Sequence, residues 1–573
     1  MYSIGTPPFH PAYIRSTICR MNRRLVAFGA LAAPAMAFAA ARHRAERDVE
    51  QTKQGTRPPI GVVASFDGLG SGFSGPQGNA ALRNPSDNSV AVGPNHIVQI
   101  VNTRMAIFTK KGARYDTTGR VLYGPVETRN VFREFGGPCE QRNNGDAVVR
   151  YDQLAGRWLI VMPIFSRIAE QSDPRGAPRA GDGSRESLPG VAGQPGAAVR
   201  LYEPPPPPPP PPDTTPRDTS QRRARPPQPT TGVYAMCYAV STGNDPFGPY
   251  YRYEFIRPLF PDYPRPAVWP DGYYVPTSTG DEVIQKHACV VERAKMLIGA
   301  PAREQCVVID SVNFLNNADV DGMNAPPRGA PNIMLAAGGR QLAKVMEDSV
   351  ILAWTFHVDW NDAARTRVSG PTNVRVAPYH YLCNGQLTNC VPQPGVERRL
   401  DAQGDKLMAR VVYRRVGGHE SIVAAHSVDT HAGGGGVRWY EFRLDARRLP
   451  ALYQQGTYAP DGGFRWLGSP AMDARGNIGI GYSFGDSTTF VGQRFAGRRA
   501  GDPRGTLSLH EMVLASGEAP QTNTLRWEDY TQTAVDPSDD CTIWYVGDYV
   551  KAGATNYTTR IAGVRFPDCR GAR

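Results

Sequence analysis

Acidic and aromatic residues recur in this chain at one kind of position, just ahead of a short apolar strand. Asp87 precedes Ser89-Val-Ala-Val, Asp146 precedes Ala147-Val-Val, and Asp262 and Tyr263 precede Pro266-Ala-Val-Trp. Asp405 precedes Lys406-Leu-Met-Ala, Arg465 and Trp466 stand ahead of Ser469-Pro-Ala-Met, and Trp527, Asp529 and Tyr530 stand ahead of Thr533-Ala-Val. If these segments gather at one end of a fold, carboxylates, a guanidinium and aromatic rings converge. Such a set suits a polar ligand, for example a sugar stacked on Trp or Tyr. Several carboxylate oxygens also suit a divalent cation, which makes calcium a candidate ion. Two acids whose surroundings separate their pKa values would serve a glycoside hydrolase or lyase. Any single Asp at such a place equally well sets a turn, by accepting neighbouring backbone N–H groups.

Other chemistries lack their patterns. His419-Glu420 and His426 do not form H-E-x-x-H and fall on a strand, against a zinc protease. There is no G-x-S-x-G. The Gly-rich runs Gly70–Gly75 and Gly433–Gly436 carry no phosphate-loop lysine. The S-x-D-x-G-x-T-W turn of sialidase propellers is also missing.

The elements that must position these residues are short strands ending at Gly, Asp or Asn turns. A small-apolar-x-apolar strand followed by a turn recurs near residues 89, 147, 266, 469 and 533, with weaker copies near 332 and 406. Most gaps hold enough chain for four strands. Lys406–Arg414, Glu420–Ser427 and Gly436–Leu444 show the pattern within one unit. The pattern predicts an all-β fold, a single β-propeller of about seven four-stranded blades over 85–569. A large β-sandwich is the closest rival. The long gap holds a low-complexity block over 167–231 with nine consecutive prolines at 204–212. Polyproline has no backbone donors for a ladder, so the block reads as a disordered insertion.

The net charge is +11, but residues 1–57 hold nine Lys/Arg against three Asp/Glu, so much of it lies outside the repeats. No basic run interleaves with aromatics, which argues against a nucleic-acid partner. Met21-Asn-Arg-Arg followed by the apolar Leu25–Ala40 reads as an export signal with Met21 as a possible start, so 1–40 is the signal region and 41–84 a polar N-terminal arm. No second apolar run reaches spanning length. A secreted, periplasmic or surface-located monomer is expected, with a glycan or a protein as its ligand.

Nine cysteines agree with export. Cys19 precedes the signal, and the other eight make an even set: Cys139, Cys237, Cys289, Cys306, Cys383, Cys390, Cys541 and Cys569. Eight cysteines allow 105 pairings. Proximity favours Cys383–Cys390, Cys289–Cys306 and Cys541–Cys569, which leaves Cys139–Cys237. No C-x2-C appears, so a zinc site is not indicated.

Several stretches resemble a family of exported, uncharacterised bacterial proteins expected to be propeller-like. They include Gly136-Gly-Pro-Cys-Glu, Asn144-Gly-Asp, Tyr151–Trp158, Cys237-Tyr-Ala-Val-Ser, Asp262-Tyr-Pro, Val268-Trp-Pro-Asp, Arg293-Ala-Lys-Met-Leu, Phe356-His-Val-Asp-Trp, Gln454–Asp461, Asp473–Tyr482 and Val535–Tyr545. The resemblance spans about 85–569 and implies the fold and export. It implies no activity. The low-complexity block departs from the family pattern, which has a short turn there.

Overall fold

The computed structural model describes residues 48–570, apart from 169–191, 194–195, 201–232, 259, 279–284, 311, 313, 338–347 and 386–388. The signal region and the proline run therefore lie outside the described residues.

The fold is all-β and propeller-like, made mostly of small antiparallel meanders. One sheet runs in chain order through Ser89–Val92, His96–Val101, Arg104–Thr109 and Val121–Glu127. The next two begin at Val148–Asp152 and at Ala267–Trp269. A nine-stranded sheet contains two meanders, one beginning at Asn316–Val320 and one at Val411–Val416, joined where Ala318 pairs in parallel with Val411. Two further sheets begin at Phe464–Met472 and Gln532–Val535. The strong alternating strands predict this pattern, since each meander needs only tight turns and buries both faces against its neighbours. Trp158, Trp269 and Trp439 fill the space between successive sheets and are almost fully buried.

The first strands adjoin one another in succession, and the last adjoins the first. Side chains stitch this inner ring where strand edges would otherwise leave N–H groups unpaired. Val149 N–H donates to Ser89 Oγ (2.9 Å), Val268 N–H to Asp319 Oδ1 (2.8 Å) and Thr533 N–H to Ser469 Oγ (3.0 Å). Gln532 Nε2 closes the circle on the Val90 carbonyl at 3.0 Å.

Three expectations are corrected. The segment expected as an arm over 41–84 is, from residue 48, part of the body. Glu50–Gln51 pairs in parallel with Thr457 and Tyr458, Arg57 bridges to Leu509, and Gly61–Gly70 forms the outer strand beside Thr558–Arg565. Outer edges expose unpaired backbone groups, and this strap covers them on three successive sheets. The repeat start placed near 332 is a second strand, the first being Asn316–Val320. The start placed at Lys406 comes early, because the strand begins at Val411. Within the insertion, Ala192–Gly193 pairs with Arg303 and Ala302, and Gly196–Arg200 pairs along Pro249–Arg252.

All eight cysteines of the body pair as proximity favoured: Cys139–Cys237, Cys289–Cys306, Cys383–Cys390 and Cys541–Cys569. Among the described residues, no helix is long and apolar enough to cross a membrane.

Candidate functional site

The loops leading into the first strands meet at one mouth of the ring. They line a cavity of about 360 Å³ that contains Asp87, Asp146, Asp262, Tyr263, Asp529 and Tyr530. Six of the ten residues singled out by type and position thus share one pocket. The backbone reaches it through a repeated device. Asp87, Tyr263, Gln403 and Asp529 all have left-handed φ, at 50°, 46°, 46° and 64°. Non-glycine residues adopt that region at a cost, and it recurs where a loop must aim a side chain.

Asp87 is buried, and Asp146 shows one edge to the cavity. The two carboxyl groups are near enough that each acts on the other's titration. Burial, then the charges of Asp146 and Asp529, push Asp87 well above the carboxylate range. Burial, then Asp262 and Asp529, push Asp146 up to about 8, while the neighbouring Asp87 pulls the other way. The two acids therefore titrate as a pair above the ordinary carboxylate range. Asn102 Nδ2 donates to Asp87 Oδ2 and fixes its orientation.

Asp529 lies on the opposite side of the charge balance. Arg526 donates to both of its oxygens, and Gln403 Nε2 donates to Oδ1 at 3.2 Å. The same guanidinium stands 3.2 Å from Asp401 Oδ2. Burial opposes the charge on Arg526, but Asp529 and Asp401 outweigh it and raise its pKa. Asp401 itself is pushed up to about 7 by burial and by Asp529.

The aromatic wall is Tyr263 stacked on Tyr530, with centroids 4.3 Å apart and planes at 19°. Phe314 and Lys406 complete that side, with Lys406 Nζ 4.1 Å from the ring centroid. Below the cavity the channel is filled. Arg410 donates to Asp319 (2.8 Å), to Asp321 and across to the Thr533 carbonyl (3.1 Å), and Arg150 stands 3.2 Å from Asp319. The space left there is about 20 Å³, room for little more than a water. A ligand therefore enters and leaves by the mouth.

Four of the ten residues lie elsewhere. Asp405 sits behind the wall, 3.4 Å from Lys406 Nζ. Arg465 is fully buried in bidentate pairs with Asp461 and Glu511, and Trp466 packs near Trp527 in the core. Both belong to the strand Phe464–Met472 itself, so alternation along the strand, not the loop, directs them. Arg526, Gln403, Asn102 and Asn144 were missed. Gln403 and Arg526 stand in the same loops that supplied the acids; a search for acids and rings alone passes over them.

Among the described residues, the groups of three ligand-type side chains within mutual reach are Cys139, Cys237 and Glu254, and Cys289, Glu304 and Cys306. Both use disulfide sulfurs, which leaves no thiolate for a metal.

No family model and no curated protein matches the chain. Solved structures show a distant likeness. A neuraminidase-like protein of subtype N10 from A/little yellow-shouldered bat/Guatemala/060/2010 is 8% identical, with a TM-score of 0.30, covering 72% of this chain and 95% of that one. The WD40 domain of SCAP from fission yeast is also 8% identical, with a TM-score of 0.30, covering 84% and 96%. An engineered GH43 glycoside hydrolase is 9% identical, with a TM-score of 0.24, covering 89% and 98%. Likenesses this distant say nothing about activity.

Proposed function

We propose that this is an exported seven-bladed propeller whose mouth cavity hydrolyses a glycosidic bond by acid–base chemistry. The blade count follows from reading the nine-stranded sheet as two blades. The four disulfides favour an oxidising compartment.

One observation carries the activity: Asp87, Asp146 and the Arg526-bound Asp529 line one cavity, and burial pushes the first two above the ordinary carboxylate range. A proton donor and a carboxylate on one cavity divide the roles that glycosidic cleavage needs. In this reading Asp146 gives its proton to the glycosidic oxygen as the C–O bond breaks. Water adds to the sugar carbon and yields its proton to Asp529. Tyr263 and Tyr530 offer an apolar face to the ring.

The test is a hydrolysis screen over a glycan panel with protein beginning at residue 41, alongside Asp146→Asn and Asp529→Asn. Turnover by the wild type that falls about 100-fold or more in each folded variant supports the reading. Glycan binding with no turnover in any sample replaces it with a carbohydrate-binding role. Variants as active as the wild type place the chemistry elsewhere.

A further inference from the structure

Beside the mouth lies a second cavity, of about 450 Å³, lined by Arg104, Arg129 and Arg133 with Asn79 and Asn130. Its acids are already committed. Glu127 accepts from Arg129 Nε at 2.6 Å and lies 3.7 Å from Arg104 Nη1, so one carboxylate serves two guanidiniums. Glu140 accepts the backbone N–H groups of Glu134 and Gly136 at 3.0 and 2.8 Å. These bonds hold it below the usual carboxylate range and spend its charge on the backbone. Arg104 otherwise donates to its neighbour's carbonyl, Thr103 O, at 3.2 Å. Burial lowers the pKa of Arg104; Glu127 opposes this, but Arg83 and Arg129 press in the same direction as burial. Arg133 is paired at 3.7 Å with the exposed Glu134, whereas Arg104 and Arg129 have the one Glu127 carboxylate between them, so positive charge is least offset at those two.

The two cavities are built on the same segments. Arg83 and Asn102 line the mouth, and Arg104, two residues further on, lines its neighbour. Asn143 Nδ2 donates to the Thr103 carbonyl at 3.0 Å, and its Oδ1 accepts Arg129 N–H at 3.2 Å. The adjacent Asn144 faces the mouth.

We propose that this arginine-lined cavity binds the carboxylate or sulfate groups of an acidic polysaccharide whose neighbouring sugars occupy the mouth. The sugar part rests on the glycan reading of the mouth; the capture of oxyanions does not. Guanidiniums present paired donors that match such oxyanions.

The experiment is calorimetric binding of polygalacturonate, dextran sulfate and neutral dextran at low and physiological salt. Arg104→Gln and Arg133→Gln are compared with the wild type and with Arg447→Gln, an exposed arginine of another sheet. The expected result is binding of at least one polyanion, weakened by salt and roughly tenfold weaker in each cavity variant, with Arg447→Gln unchanged. Preference between the two polymers identifies carboxylate or sulfate. Equal affinity for dextran, no polyanion binding, unaltered binding by both cavity variants, or an equal loss in Arg447→Gln overturns the proposal. Thermal melting confirms that each variant is folded. The two readings separate in the wild type: polyanion binding with no turnover in the hydrolysis screen overturns the mouth's reading alone, and turnover with no polyanion binding overturns this one alone.

Discussion

Asp87 and Asp146 come from the loops ahead of two successive sheets, and both carboxyl groups line the cavity at the mouth of the channel. Asp87 is buried and Asp146 is partly open, and burial pushes both above the ordinary carboxylate range.

Asp146 sets an alkaline limit. Its folded pKa is raised above the unfolded carboxylate value, so its contribution to stability is complete below the unfolded value and is lost as pH rises through about 8. Asp146→Asn removes this dependence. Melting temperatures measured from pH 5 to 9 should fall more steeply for the wild type than for the variant, and parallel curves would contradict the assignment. Any turnover should decline on the alkaline side of the same pKa.

Buried histidines set an acid limit. Burial pushes His96 and His287 down to about 4, and His426, hydrogen-bonded to Tyr440, well below its ordinary value. Depressed values give stability that is present above the unfolded histidine pKa and lost as pH falls through the folded one. The protein should lose stability between pH 6.5 and 4, and His426→Phe should lose it less steeply. A melting series on both proteins checks this.

Arg410 neutralises Asp319 and Asp321 in the closed floor of the channel. Arg410→Met strands the buried Asp321, leaves Asp319 to Arg150 alone, and should cost about 3–5 kcal/mol in urea denaturation. Adding Asp319→Asn and Asp321→Asn should recover much of that loss. A single variant as stable as the wild type would show that the floor is wet.

The N-terminal strap should be stabilising. Protein beginning at residue 58 lacks the Glu50–Gln51 pairing and the Arg57–Asp502 ion pair at 3.0 Å. It should melt lower and be cut faster by protease than protein beginning at residue 41. Beginning at 71 also removes Gly61–Gly70, the strand that completes the last sheet, and should leave little folded protein.

Disulfides should differ by loop length. Cys139–Cys237 spans 98 residues and Cys383–Cys390 spans 7. In the chain-entropy account, longer loops restrict the unfolded chain more, with a typical cost of about 2–4 kcal/mol on removal. The double serine variant of the long loop should therefore lose more stability than that of the short one, measured by chemical denaturation under oxidising conditions.

What the chain determines locally is the strand pattern, the turn positions and the pairing of its cysteines. Alternation with period two and Gly/Asp/Asn turns are written in neighbouring residues, and three of the four disulfides close loops of 28 residues or fewer. Asp87, Asp146, Asp262 and Asp529 could be picked out because each stands at the same place ahead of a first strand. Tertiary structure decided the rest. Arg465 and Trp466 occupy a similar sequence position, yet the strand has already begun there and its pleat turns them into the core. The strap from residue 48 reads as a polar arm because its partners lie some 400 residues or more away, and no local signal marks an edge strand added from a distance. The upward shift of the Asp87 and Asp146 carboxyl groups is likewise beyond sequence. It arises only when closure of the ring brings two carboxyl groups from different sheets together in a place where water cannot fully solvate both charges.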